Sequence, residues 1–229
     1  MDDRAEFLGR TRQGLRWPVR GARRDRALSV MQPPGDPRPW LPMVPGDRSG
    51  WIEAFAAASV ALRTDFRVVG SIASAVEVLH GTAAAEGWNR VATHPDPLVR
   101  GVVDRLGLPI LDVAGGYDVG DLEACPVAIT GCDVLVAQTG SVVVTARSSG
   151  GRALSVYSPH HVVVAPVERL VPDLPTAFER LAAVFGPDYP SLISFVTGPS
   201  RTGDIERVIV LGAHGPRKLT VLLVGNCPG

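Results

Sequence analysis

The sequence predicts an α/β protein: a mostly parallel sheet with helices on its faces and a β-rich insertion. Three observations carry this. Helical and strand-like runs alternate between residues 50 and 113. Beyond Cys125 the runs are short, β-branched and divided by turn residues. Residues 219–224, Leu-Thr-Val-Leu-Leu-Val, have the nearly continuous apolar character of a strand covered on both faces. A chain of 229 residues, 45% hydrophobic and 20% charged, can bury such a core as one domain or a tight pair.

Residues 2–16 set Phe7, Leu8, Thr11 and Leu15 near helical spacing among Arg4, Arg10, Arg12 and Arg16, which predicts a helix with a narrow apolar stripe. Seven of the twenty prolines then fall between residues 17 and 47 and forbid a continuous helix or central strand there. Up to Arg26 the chain carries eight arginines against Asp2, Asp3, Glu6 and Asp25. Residues 1–49 are therefore expected to be an N-terminal helix and a Pro/Arg-rich arm, either solvated or docked on an acidic partner surface. Residues 50–229 are expected to be the α/β domain.

Within that domain, residues 51–63 are Ala-rich and helical, and 66–70 form a short strand ending at Gly70. Residues 72–86 are again helical, with Val76, Leu79 and Ala83 on one face. Strand 89–93, helix 97–106 and strand 109–113 continue the alternation, so right-handed crossovers between parallel strands are expected. Runs at 127–130, 133–137, 141–145, 153–157 and 162–165, separated by about four turn residues, predict antiparallel hairpins. Residues 172–185 return to helix, with Leu174, Phe178, Leu181 and Phe185 along one face, and 191–197, 207–212 and 219–224 are strands.

Composition removes several function classes. The 23 basic and 23 acidic side chains cancel, so no global field draws the chain to nucleic acid or an anionic membrane. Cys125, Cys132 and Cys227 form no CxxC pair and cannot by themselves ligate an iron–sulfur cluster or a Cys-based zinc, so no cofactor is expected in this chain. Few cysteines also suit a reducing compartment. No run approaches the roughly 18 apolar residues of a membrane span. Met1-Asp2-Asp3-Arg4 lacks the features of a signal peptide, and a cytoplasmic location is expected.

The densest chemical cluster is Thr197-Gly198-Pro199-Ser200-Arg201-Thr202-Gly203-Asp204-Ile205-Glu206, following an apolar run. Glycines permit close backbone approach, Ser200 and Thr202 supply hydroxyls, and the Arg201 fork matches carboxylate or phosphate. A helical turn opening at Asp204 would add partial positive charge. Thr202 and Asp204 would equally serve to cap a turn. No Gly-Lys-Ser/Thr ending marks a nucleoside triphosphate loop. Gln138-Thr139-Gly140-Ser141 offers polar groups around a glycine and also suits an ordinary hairpin turn. His160 and His161 are adjacent, and in a strand adjacent residues face opposite ways, so they do not share a metal. His161 is the expected buried one, and His214 sits in a Gly/Pro loop as a filler or an acid–base group. No metal site is expected. Together Gln138, Thr139, Gly140, His161, Gly198, Ser200, Arg201, Thr202, Asp204 and His214 form the candidate ligand-binding set, expected to converge on one pocket beside strand ends.

These strings resemble a known family. Thr139-Gly140-Ser141, Gly150-Gly151-Arg152, Pro159-x-His161-Val162, the long Gly-Pro-Ser-Arg-Thr-x-Asp-Ile-Glu string from Gly198 and Gly212-Ala213-His214-Gly215-Pro216 are similar to the LUD domain family, the domain of lactate utilization protein C. The resemblance covers about residues 50–229. Gly203 replaces a usual alanine, Ser158 a common proline, and His160 is an unusual neighbour for His161. The resemblance implies a fold of the ribose-phosphate isomerase, glucosamine-phosphate deaminase and CoA-transferase class (NagB/RpiA/CoA transferase-like). It also implies a place in a three-component system that oxidises L-lactate to pyruvate, in which other components carry the iron–sulfur clusters. On that basis the chain is expected to be an accessory or substrate-handling subunit that binds a small carboxylate or other anion and has iron–sulfur subunits as partners. The alternatives are an independent enzyme acting on a sugar phosphate or acyl-CoA and a non-catalytic assembly protein.

Overall fold

The computed structural model describes residues 42–44, 46–203, 209–211 and 215–225, which belong to a compact unit beginning at Pro42. The helix expected at 2–16 and the arm up to residue 41 lie outside the described residues. Residues 42–49, grouped with the arm by composition, contribute to the domain. Val44 packs on the core, and the Asp47 carboxylate accepts from the Gly50 N–H at 2.8 Å, capping the first helix.

That helix, α1 (Arg48–Leu62), ends at Arg63 with φ 62° and leads into β1 (Asp65–Val69). α2 (Ile72–Glu86) is capped by the Ser71 hydroxyl and buries Val76, Leu79 and Ala83, the face its sequence spacing predicts. β2 (Val91–Thr93), α3 (Pro97–Val103), β3 (Ile110–Asp112), the short α4 (Val119–Glu123) and β4 (Val127–Thr130) continue the alternation. With β7 (His160–Pro166) and β12 (Lys218–Val224) they build one six-stranded sheet, ordered β1-β12-β7-β4-β2-β3, in which every neighbouring pair is parallel. β12 lies between β1 and β7, which explains its apolar sequence: Val221, Leu222 and Leu223 are fully buried.

A second sheet holds β5 (Val134–Val136), β6 (Ser141–Thr145), β8 (Leu170–Val171) and β9 (Ile193–Val196) in the order β8-β5-β6-β9. It carries α5 (Leu174–Phe185), whose first turn is capped by Asp173. The expected α/β class therefore stands, but the β-rich part is differently composed. Residues 127–130 and 162–165, expected in hairpins, are central strands of the parallel sheet, buried on both faces. Residues 153–157 form turns in place of the expected strand, with the N–H groups of Val156 and Tyr157 both donating to the Ala153 carbonyl. A two-stranded antiparallel hairpin, β10 (Arg201–Gly203) and β11 (Ile209–Leu211), stands apart.

Alternation along the strands sets the layers. Val162 and Val164 of β7 meet Leu79 of α2 and Val99 and Val102 of α3, while Val163 and Ala165 meet Phe55 of α1 and Leu135 and Val142 of the second sheet. Val134, Val136 and Val143 turn away from that layer to Ala177, Leu181 and Phe185 of α5. Phe178, expected on the buried face of α5, is 58% exposed and packs only sideways on Phe195, with ring centroids 5.2 Å apart.

Candidate functional site

β7 begins with two histidines, and the pleat sends them to opposite faces of the sheet. His161 is fully buried among the second-sheet side. The Thr130 hydroxyl donates to the Gly131 carbonyl at 2.9 Å and lies 2.8 Å from His161 Nε2. A hydroxyl has a single hydrogen, so with that hydrogen on Gly131 the Thr130 oxygen accepts from Nε2–H. Burial, reinforced by the neighbouring His160, pushes the His161 pKa down to about 4, and the ring is neutral at physiological pH. Its Nδ1 therefore carries a bare lone pair. That atom is buried and has no hydrogen-bond partner.

His161 forms part of the wall of a cavity of about 190 Å³. The turn residues Ser155 and Val156, the segment 196–200 after β9, and Gly215, Pro216 and Leu219 at the start of β12 complete the wall. The Ser200 N–H donates to the Pro216 carbonyl at 2.9 Å and ties two of these segments together.

The turn at Gln138–Ser141 is joined to the same region by hydroxyls. Thr139 Oγ1 lies 2.7 Å from Ser141 Oγ, which lies 2.7 Å from Thr197 Oγ1. The end of α1 is the shared floor beneath them. Gly140 has φ 64°, and a Cβ there would come 2.9 Å from the side chains of Ala58 and Leu62. Gly198 has φ 86°, with a Cβ position 3.1 Å from the Leu62 carbonyl oxygen. Both positions require glycine on conformation and on space. The Arg201 guanidinium donates to that same Leu62 carbonyl at 2.5 Å; the side chain is exposed and lies outside the cavity wall.

Of the candidate set, then, His161, Gly198 and Ser200 line one cavity; Thr139 is linked to its wall residue Thr197 through Ser141, and Gly140 and Arg201 contact Leu62, which lies outside the wall. Gln138 turns elsewhere, its Nε2 donating to the Pro42 carbonyl at 2.8 Å. Thr202 pairs with Val210 in the β10–β11 ladder. Asp204, with its expected helical turn, and His214 lie outside the described residues. Thr130 and Ser155 carry no sequence signal. Thr130 reaches His161 only through the β4–β7 register, and Ser155 sits where a β-branched stretch suggested a strand.

On the other face, His160 Nδ1 lies 2.9 Å from Glu86 Oε2 and Nε2 lies 2.9 Å from Thr220 Oγ1, with the ring set edge-on to Trp88. Burial lowers the His160 pKa more than Glu86 raises it. Burial works to raise the Glu86 carboxyl, but hydrogen bonds from Lys218, His160 and Trp88 outweigh it and hold the group below its ordinary range. Among the described residues no group of three or more His, Cys, Asp or Glu is placed to hold a metal ion. Cys125 and Cys132 are buried free thiols, and burial pushes Cys132 up to about 12, far from a thiolate. No helix among the described residues is long and apolar enough to cross a membrane.

Residues 120–224 match the LUD domain. Lactate utilization protein C of Macrococcus caseolyticus is 32% identical over 117 residues, 50% of this chain and 51% of that protein. The Deinococcus radiodurans protein of the same name is 32% identical over 136 residues, 55% of this chain and 63% of its own length. That of Shouchella clausii is 27% identical over 177 residues, 73% and 76% respectively. The chain thus spans about half the length of the first of these relatives and about three quarters of the last. A crystal structure of a DUF162 family protein from Deinococcus radiodurans superposes with a TM-score of 0.61 at 20% identity, covering 79% of this chain and 100% of that one, a likeness of fold.

Proposed function

With a LUD domain at residues 120–224 and relatives named lactate utilization protein C, we propose that this chain serves lactate utilization in the cytoplasm as a substrate-handling subunit that works beside iron–sulfur partners. The observation that carries the reading is the His161 cavity. At about 190 Å³ it lies below the roughly 300–1,000 Å³ of drug-sized pockets, so it suits a ligand of a few heavy atoms. Its buried wall holds one unused acceptor, His161 Nδ1, and an unpaired buried acceptor is costly until a donor reaches it. The hydroxyl of a small 2-hydroxy acid is such a donor. Ser200 and Thr197 supply hydroxyls to the wall, and Arg201, which donates to Leu62 and has no further partner among the described residues, presents an exposed fork suited to drawing in a carboxylate. The chain then binds and orients the acid, and electron transfer belongs to the partners.

The test is calorimetric titration of the full chain with L-lactate and pyruvate, repeated with His161→Phe and Ser200→Ala. Saturable binding weakened by both substitutions is expected, together with co-purification of the iron–sulfur subunits. Absence of saturable binding of either acid to the unmodified chain would overturn the reading.

A further inference from the structure

The second histidine of β7 stands at the floor of a larger cavity. Between α2 and the amino ends of β1, β12 and β7 runs a groove of about 600 Å³, three times the volume of the His161 cavity and on the opposite face of β7. His160 and Thr220 at its floor are 4% and 3% exposed and hydrogen-bonded to each other, which makes the floor rigid and polar. Arg63, Arg67, Arg217 and Lys218 stand around it, opposed by Asp65, Glu77 and Glu86.

Most of that charge is already spent. Arg67 holds Asp65 through Nε at 3.0 Å and Nη2 at 2.9 Å, and Lys218 holds Glu86 at 2.8 Å. Arg63 and Arg217 are exposed, and among the described residues nothing pairs with either guanidinium. Arg63, the cap of α1, lies two residues before β1, and Arg217 lies one residue before β12, the parallel neighbour of β1. Both line the groove at the amino-end side of these two strands. The organic side of the groove comes from α2, which turns Val78, Gly81 and Ala85 toward it. Glycine in mid-helix weakens the helix, and no packing demands it here, since a Cβ at Gly81 would meet no atom within 4 Å. Its effect is to keep the groove open.

We propose that this groove binds a phosphate monoester, Arg63 and Arg217 gripping the phosphate and the Val78–Gly81–Ala85 strip receiving the organic body. A dianionic phosphate with three terminal oxygens can satisfy two guanidinium forks, whereas a carboxylate satisfies one. A three-carbon acid would fill only a small part of the groove. The proposal does not rest on the reading of the His161 cavity, although Leu219 lines both.

The experiment is calorimetric titration of the full chain at low ionic strength with inorganic phosphate and with adenosine monophosphate. Both are expected to saturate, the nucleotide more tightly. Arg63→Ala combined with Arg217→Ala should weaken both by about tenfold or more, the loss expected when charge-assisted hydrogen bonds are removed. Gly81→Leu should weaken the nucleotide more than phosphate. Arg147→Ala, an exposed arginine paired with Asp188 elsewhere, should change neither. L-lactate binding should survive the double arginine change, which separates this site from the other. No saturation with either titrant, or full affinity in the double arginine variant, overturns the proposal.

Discussion

His161→Gln provides a direct test of the buried, neutral imidazole. In the folded chain the ring is held at about 4, against an ordinary value of 6.5. Between those values the unfolded chain takes up a proton that the native state refuses, so stability is complete above the unfolded value and declines as pH falls toward the folded one. At about 1.4 kcal/mol per unit the full window is worth about 3 kcal/mol, most of which lies between about pH 7.5 and about pH 4.5. Glutamine keeps an amide N–H for the Thr130 oxygen and titrates nothing. Urea unfolding at the two pH values should therefore show the parent losing about 2–3 kcal/mol more than the variant. His94 and His160, also held low by burial, titrate in both proteins and cancel in the difference. An equal loss in parent and variant would refute the assignment, and with it the bare Nδ1 on which the cavity's chemistry rests.

Other outcomes follow from the same geometry. Thr130→Val leaves the buried Nε2–H of His161 without its acceptor and should cost about 1–3 kcal/mol by denaturant midpoint. Gly140→Ala combines φ 64° with a Cβ 2.9 Å from Ala58 and Leu62, and should destabilise by roughly 1–3 kcal/mol while displacing the Thr139–Ser141–Thr197 hydroxyls. Glu86→Gln removes what raises His160, so the His160 ring should titrate at still lower pH by NMR, with the groove face perturbed and the His161 resonances nearly unchanged. Asp173→Ala deletes the 2.8 Å cap of α5 and should cost about 1 kcal/mol in thermal or urea unfolding.

The helices and the last strand were legible because their signals are local. Ile72–Glu86 lies between a serine cap and a glycine stop, and its apolar spacing alone fixes the buried face. The five apolar residues among 219–224 announce a strand covered on both sides, but not that β12 would insert between β1 and β7, because strand order is decided by long-range pairing. The short β-branched runs beyond Cys125 look alike in sequence, yet 127–130 and 162–165 joined the parallel sheet while 133–137 and 141–145 formed a hairpin. Runs of four or five residues carry no information on parallel or antiparallel partners. Residues 153–157 show the converse: a short strand-like stretch whose backbone closes on the Ala153 carbonyl as a turn.

The site divides on the same line between local and non-local information. Glycines at 140 and 198 were visible as positions of close approach, and the structure supplies what approaches them, the end of α1, which nothing near them in the sequence names. The adjacent histidines declare by strand parity that they face apart, but parity does not assign their partners. Thr130 and Glu86 lie 31 and 74 residues away and reach them only through β4 and α2. Those partners determine the chemistry. A threonine whose hydrogen is already committed leaves His161 an acceptor in the wall of a small cavity, whereas a carboxylate shared with Lys218 makes His160 part of a polar floor under a larger, arginine-rimmed groove. One dipeptide thus faces two cavities with different hydrogen-bonding surroundings: an imidazole with an unpaired nitrogen on one face and an imidazole bonded through both nitrogens on the other.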